Sequence, residues 1–218
     1  NGFSPENAIR NIRFSMAVGP DFFFEIAKIR ALKLLWRNVT EQYLKGNSIP
    51  LHIHAETSQI WLANEDVNNN LIRAAFQTLS ATAGGCNSFY AHPFSNQNED
   101  ASRLGIGVQL VVREEGFLNK VGDVAAGAYY IEEITEKLVL NAWKEFQEIE
   151  KTGGYATGIK SEKITKALHE SALKLKQNIA SGKIKVIGVN KHRTDKTEKI
   201  LRTKISYTGK IEKINLFN

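Results

Sequence analysis

The chain has 218 residues, of which 42% are hydrophobic and 24% are charged, and its net charge is +6. This length and composition suit a protein of one or two domains with a buried core. No apolar run approaches the length of a membrane span, and much of the basic excess lies late, between Lys183 and Lys213. We therefore expect neither a membrane nor a nucleic-acid partner. The single cysteine, Cys86, excludes an intramolecular disulfide and predicts a reducing, cytoplasmic location.

Three short segments predict β-strands, because polar and apolar residues alternate along them. They are residues 11–15, 52–56 and 88–92. Side chains on a strand alternate between its two faces, so each strand has one polar face. These faces carry Asn11, Arg13 and Ser15, then His52, His54 and Glu56, then Ser88, Tyr90 and His92. Strands alternating with helices predict a parallel sheet, and its polar face favours a barrel lumen that holds a ligand over a packed core.

Helices are predicted between and after these strands. The first begins after Asp21, which can cap it, and runs over residues 22–45; the second starts at Asp66 and stops at Gly84-Gly85. A third covers residues 103–115. Further on, residues 128–131 predict a fourth short strand, 134–151 and 161–180 predict two helices, and 185–189 predict a final apolar strand. From residue 191 the chain is basic and polar, which indicates an extension or linker.

Several of the polar residues could carry chemistry. His52, His54 and Glu56 share a strand face, and imidazoles and carboxylates are common zinc ligands, so a metal-dependent hydrolase is one hypothesis. The alternatives are hydrogen bonding to a polar ligand, or plain alternation on an edge strand. Tyr90 and His92 could serve as acid and base, and Arg13 could bind a phosphate or carboxylate. No Walker sequence or dinucleotide-binding glycine motif occurs.

Longer motifs carry a family resemblance. They are Phe22–Ala31 followed by Leu34-Leu35-Trp36, then His54–Ser58, Asn69–Arg73, Gln109–Glu115, Gly127–Glu132 and Val186–Lys191. Together, and in this order over residues 11–192, they resemble the substrate-domain barrel of the cobalamin-dependent acyl-CoA mutases, the methylmalonyl-CoA mutase family above all.

The resemblance implies an α/β fold, namely part of a (β/α)8 barrel with about its last four βα units. Residues 1–192 would form this C-terminal half of the barrel, and residues 193–218 a basic extension or linker. In the family, coenzyme A threads a polar lumen, and a separate domain with an Asp-x-His-x-x-Gly motif holds the cobalamin. That motif does not occur here, and neither do the upstream barrel strands with the catalytic Tyr-His pair.

The matched positions nominate lumen residues, and several depart from the pattern of active members. The candidates that face the ligand are Arg13, His54, Glu56, Ser88, Tyr90 and His92, and Asn96 is the candidate that faces cobalamin. Asn11 and Glu56 stand where active chains have Arg and Gln, and His92 and Asn96 stand where they have Asn and Glu. We therefore expect no catalytic residue and no metal ligand in this chain.

These departures predict a small, non-catalytic subunit of methylmalonyl-CoA mutase, an isomerase that interconverts methylmalonyl-CoA and succinyl-CoA. The predicted partner is a large mutase subunit or the remaining half of the barrel, with an acyl-CoA as a candidate ligand and an oligomer as the expected state. Adenosylcobalamin would act in the assembled enzyme, with none bound to this chain alone. The alternative is a catalytic fragment of an acyl-CoA mutase with altered substrate specificity.

Overall fold

The computed structural model describes residue 2 and residues 4–200. Helices and strands alternate along most of this part of the chain. In chain order they are α1 (Pro5–Asn11), β1 (Phe14–Val18), α2 (Phe22–Tyr43), β2 (Ile53–Thr57), α3 (Asn68–Ala83), β3 (Ser88–Tyr90), α4 (Ala101–Glu114), α5 (Tyr129–Lys151), α6 (Gly154–Lys160) and α7 (Lys163–Ala180). The described helices include none that is both long and apolar enough to cross a membrane.

The three strands form one parallel sheet in the order β1-β2-β3, which confirms an α/β architecture. The register sets Ser15 of β1 opposite His54 of β2, and His54 opposite Ser88 of β3. One step further along, Ala17 lies opposite Glu56, and Glu56 lies opposite Tyr90. Because the strands run in sequence order, β1 and β3 are the two edges of the sheet.

The apolar face of the sheet is covered by helices α2 and α3. Ile53 and Ala55 of β2 are fully buried, and they pack in one cluster with Ile29 of α2 and Ala81 of α3. Asp21 begins α2 as predicted, since its carboxylate accepts the Phe24 backbone N–H at 3.3 Å. With both helices on one face, the part of the chain that the structure describes leaves the opposite face of the sheet open.

Helix α5 forms a further layer against α2. Ile131 of α5 packs in a second cluster with Ile26 and Ala27 of α2. The predicted strand at residues 128–131 is therefore wrong, because α5 begins at Tyr129. The physical reason is that Ile131, Thr135 and Leu138 continue the helical spacing toward α2. Burial against α2 thus extends the helix that the pattern placed at residues 134–151 by a turn and a half.

The predicted final strand at residues 185–189 is also wrong, because this segment turns back on itself. Asn190 organises the turn: its side-chain oxygen accepts the Val186 N–H, and its amide group donates to the carbonyls of Ile179 and Ile184 at 2.7 and 2.8 Å. Val186 is buried against Ile179 rather than in a sheet. The apolar run therefore closes a turn after α7.

Other boundaries also differ from the sequence-based expectation, and α3 begins at Asn68 without a cap from Asp66. Residues 5–11 form a helix that was not predicted, with the Ser4 hydroxyl accepting the Asn7 N–H at 3.2 Å, so the first strand starts at Phe14 and Asn11 lies in α1. The helix predicted at 161–180 starts at Lys163, since Glu162 has a positive φ of 60° that separates it from α6.

Residues 196–200 lie across the loops that follow β2 and β3. The Lys196 carbonyl accepts the Asp66 N–H at 3.1 Å, and the Glu198 N–H donates to the Asn64 carbonyl at 2.7 Å. Ile200 is buried. The division into a barrel part and an extension from residue 193 remains a prediction, and residues 201–218 of that extension lie outside the described part of the chain.

Candidate functional site

The polar sides of the three strands form one surface on the open face of the sheet. The register places Ser15, His54 and Ser88 in one row across the strands, and Glu56 and Tyr90 in the next. This arrangement follows from strand alternation, since the intervening residues Ile53, Ala55 and Thr57 are buried. Five of the six predicted ligand-facing residues thus lie on this surface or directly after β3; Arg13 is the exception.

The first row contains a hydrogen-bonded pair. His54 Nδ1 lies 2.8 Å from the Ser88 hydroxyl oxygen. Parallel neighbours in register bring these two side chains together across 34 positions of sequence. This contact fixes the orientation of the His54 ring, with Nδ1 toward Ser88 and Nε2 pointing away from it.

Glu56 and His92 form a second pair at the carboxyl end of the strands. His92 Nε2 lies 3.2 Å from Glu56 Oε2 and 3.1 Å from the side-chain nitrogen of Gln59. Because a carboxylate only accepts hydrogen bonds, His92 carries a proton on Nε2 when it bonds Glu56. The Tyr90 ring stands edge-on to the His92 ring, with centroids 4.9 Å apart.

The backbone holds His92 in place. Its N–H donates to the hydroxyl of Thr57 at 2.8 Å, and Thr57 is buried at the end of β2. The side chain of His92 is only 11% exposed, whereas that of Glu56 is 30% exposed. The pair could move a proton to or from a ligand on the open face, but the two groups already satisfy one another.

Arg13 is not gathered with the other candidates. It precedes β1, and its Nη1 atom donates to the carbonyls of Arg10 and Ile12, each at 2.9 Å. Both hydrogen bonds hold the guanidinium against the backbone of the residues that directly precede it. Arg13 is exposed, so a ligand phosphate would compete with these two carbonyls for it.

Asn96 lies in the loop after β3 and is engaged by residues 196–200. Its side-chain amide donates to the Lys199 carbonyl at 2.9 Å, and its backbone N–H donates to Glu198 Oε1 at 2.6 Å. A cofactor that contacted Asn96 would have to displace Lys199 from this amide. The assignment of Asn96 to cobalamin remains a prediction.

The geometry does not support a metal-dependent hydrolase. Within residue 2 and residues 4–200, no group of three or more His, Cys, Asp or Glu side chains converges as metal ligands would. His52 precedes β2 and is exposed, while His54 and Glu56 bond to Ser88 and His92 instead.

Gln59 and Thr57 both contact His92 and were not predicted as site residues. Gln59 lies in the single helical turn Gln59–Trp61 directly after β2, and Thr57 is the last residue of β2. Thr57 lies within the motif His54–Ser58 and Gln59 directly follows it, so the sequence could have nominated both residues. Their contact with His92 depends on the pairing of β2 with β3.

Comparison with known proteins places the chain in a family. Residues 1–215 match the family model described as methylmalonyl-CoA mutase. The chain is 32% identical to methylmalonyl-CoA mutase of Cereibacter sphaeroides over 91% of its own length and 29% of the relative's. It is 34% identical to the methylmalonyl-CoA mutase small subunit of Porphyromonas gingivalis over 87% of the chain and 32% of that subunit.

The chain is also similar to a large subunit. It is 31% identical to the methylmalonyl-CoA mutase large subunit of Propionibacterium freudenreichii subsp. shermanii, over 89% of the chain and 28% of that subunit. The chain thus spans between 28% and 32% of the length of these three relatives. The match over nearly all of its residues, together with the parallel sheet and its polar face, shows that the chain belongs to the methylmalonyl-CoA mutase family.

Proposed function

We propose that the chain is part of a small, non-catalytic subunit of an adenosylcobalamin-dependent methylmalonyl-CoA mutase. In this role it supports a large subunit that interconverts methylmalonyl-CoA and succinyl-CoA, in the cytoplasm. The similarity to a protein named as a small subunit supports the proposal, at 34% identity.

One observation carries the proposal: the Glu56–His92 pair. Both residues stand where active members of the family have neutral amide side chains. Here a carboxylate and an imidazole lie 3.2 Å apart and bond to each other. The two replacements compensate one another, because the new carboxylate and imidazole bond to each other and so preserve the sheet surface. The two amide groups that could contact a ligand are lost. This combination is expected of a subunit that must keep its fold but need not bind the substrate.

The architecture supports an assembly with a partner. A parallel sheet in strictly sequential order, with helices α2 and α3 on one face, is the arrangement from which a (β/α)8 barrel closes. The strand edges of β1 and β3 carry backbone groups that a further strand would pair. We propose that the remaining barrel strands, on the same protein or on a partner, cover these edges and the polar face.

The residues that the structure describes do not form a site that would bind the cofactor directly. A cobalamin at the carboxyl end of the strands would meet Asn96, whose amide is already bonded to the Lys199 carbonyl. We therefore assign no cobalamin contact to this chain and propose that the cofactor acts in the assembled enzyme. The contribution of the chain is to fold against its partner.

The alternative is a catalytic fragment with altered substrate specificity. It is favoured by the 31% identity to a large subunit, which is close to the value for the small subunit. In that case His54 and Tyr90 would contact the acyl group, with the Glu56–His92 pair as acid and base. The two functions differ in whether the chain's own polar face affects turnover.

Mutase activity tests the proposal. The full-length protein should be assayed with adenosylcobalamin and methylmalonyl-CoA, alone and mixed with a large subunit. We expect turnover only in the mixture, and the same kcat for mixtures that contain Glu56→Ala or His54→Ala. Size-exclusion chromatography of each mixture checks that the complex has formed. Turnover by the protein alone, or a tenfold loss of kcat in either assembled variant, would establish the catalytic alternative.

A further inference from the structure

The loop after β3 surrounds a carboxylate from the far end of the described chain. The Ser95 hydroxyl lies 3.0 and 2.8 Å from the two carboxylate oxygens of Glu198. The backbone N–H groups of Asn96 and Gln97 donate to Glu198 Oε1 at 2.6 and 3.1 Å. Ser95 is itself buried, with 4% of its surface exposed. We call Ser95, Asn96 and Gln97 the oxyanion cradle.

The cradle binds its carboxylate with uncharged donors. Among the residues that the structure describes, no lysine or arginine forms an ion pair with Glu198. Successive backbone N–H groups that point into one concavity are a known way to bind carboxylates and phosphates. Hydrogen bonds to a charged acceptor are also about twice as strong as those between neutral groups. The donor set therefore selects an oxyanion.

The segment that delivers Glu198 is attached independently of its side chain. We call residues 196–200 the strap. Its backbone bonds to Asp66 and Asn64 on the loop after β2, and the Ile200 N–H donates to the Asn64 side chain at 3.2 Å. The strap crosses the carboxyl ends of β2 and β3, which is where ligands bind in parallel α/β sheets.

We propose that the oxyanion cradle is a binding site for a carboxylate or phosphate group, and that Glu198 fills it as an internal ligand. An external ligand of this class occupies the cradle when the strap withdraws Glu198. The site does not depend on the mutase role, because it rests on the contacts of Ser95, Asn96, Gln97 and Glu198 alone.

Removal of the internal ligand tests this site. The Glu198→Ala variant of the full chain should be titrated with sodium acetate and, separately, with inorganic phosphate, following the backbone amide NMR signals of Asn96 and Gln97. We expect at least about tenfold tighter binding than in the unmodified chain, the effect of freeing several charge-assisted hydrogen bonds. A response to acetate alone identifies a carboxylate site, and a response to phosphate alone identifies a phosphate site.

Two controls separate the site from a general charge effect. Glu99→Ala removes the same charge from an exposed position in the following turn, and its affinity should equal that of the unmodified chain. Adding Ser95→Ala to Glu198→Ala should weaken binding about tenfold, because the hydroxyl donor is lost. If Glu198→Ala unfolds, Glu198→Gln replaces it: its neutral carbonyl oxygen is a weaker acceptor than a carboxylate, so the anion should still bind more tightly than to the unmodified chain. If the Glu198 and Glu99 variants bound each of the two anions with equal affinity, the proposal would be overturned.

Discussion

At the scale of single residues, Asn70 shows how one buried side chain can join three segments. It is fully buried. Its oxygen accepts the Ala63 N–H at 3.0 Å and the Arg73 guanidinium at 2.7 Å, and its amide donates to the carbonyls of Ala63 and Phe94. Asn70 thereby holds the loops after β2 and β3 against the start of α3, and with them the residues that lead into both.

We expect Asn70→Ala to lower the free energy of unfolding by about 3 kcal/mol, since it leaves several buried backbone groups without partners. Asn69→Ala is the matched control: the Asn69 side chain is only partly buried and bonds Asp66 at 2.8 Å, so we expect a loss below about 1 kcal/mol. Urea unfolding followed by circular dichroism measures both. Equal losses for the two variants would contradict this account of Asn70.

At the scale of elements, the packing of α2 on α3 depends on a close approach at Gly84. This residue ends α3 with an ordinary φ of −71°, so backbone conformation does not require glycine there. A β-carbon at Gly84 would lie 2.9 Å from Cβ and 3.1 Å from Cδ1 of Ile29, which is fully buried on α2. The absence of a side chain therefore lets the two helices meet under the sheet.

Gly84→Ala should destabilise the fold by about 1–3 kcal/mol, because Ile29 cannot move in a closely packed core. Gly107→Ala on α4 should do the opposite: nothing lies within 4 Å of its β-carbon position, and alanine favours a helix interior by about 1 kcal/mol. Thermal unfolding of both variants provides the comparison. A Gly84→Ala variant as stable as the unmodified protein would show that the two helices can move apart without loss of stability.

At the scale of the whole molecule, Arg30 ties the helical layer on the sheet to α5. Its guanidinium bonds Glu132 at 2.7 Å and Asp123 at 3.0 Å, and it lies 3.2 Å from the Thr135 hydroxyl. The hydrogen bond from Arg30, followed by that from the Gly127 N–H, lowers the pKa of Glu132 below its ordinary value of 4.5. The ionised carboxylate is therefore favoured in the folded state.

This lowered pKa predicts a pH dependence with a defined sign. The contribution of Glu132 to stability is complete above its ordinary pKa, and it is lost as the pH falls through the lowered value of the folded state. Glu132→Gln should therefore be less stable than the unmodified protein at about pH 7, and the difference should shrink by about pH 3. Urea unfolding at both pH values measures it, with the exposed Glu136→Gln as control. A difference that stays constant with pH would contradict the ion-pair account.

Much of the architecture could be predicted because it depends on local pattern. Strand alternation placed His54, Glu56, Ser88 and Tyr90 on one face, and the caps at Asp21 and Gly84-Gly85 marked helix ends correctly. Local pattern failed at residues 128–131 and 185–189. There, packing against α2 and the hydrogen bonds of Asn190 decide the conformation, and both of these partners lie outside the two segments.

The sequence by itself determined the family, the parallel order of strands and helices, and which strand faces are polar, because contiguous motifs and short periodicities carry this information. Only the tertiary structure decided which polar groups form hydrogen bonds with one another. The Glu56–His92 contact joins residues 36 positions apart, and the Ser95–Glu198 contact joins residues 103 positions apart. Partners at such separations are selected by strand register and loop packing, so a pattern of neighbouring residues does not specify them.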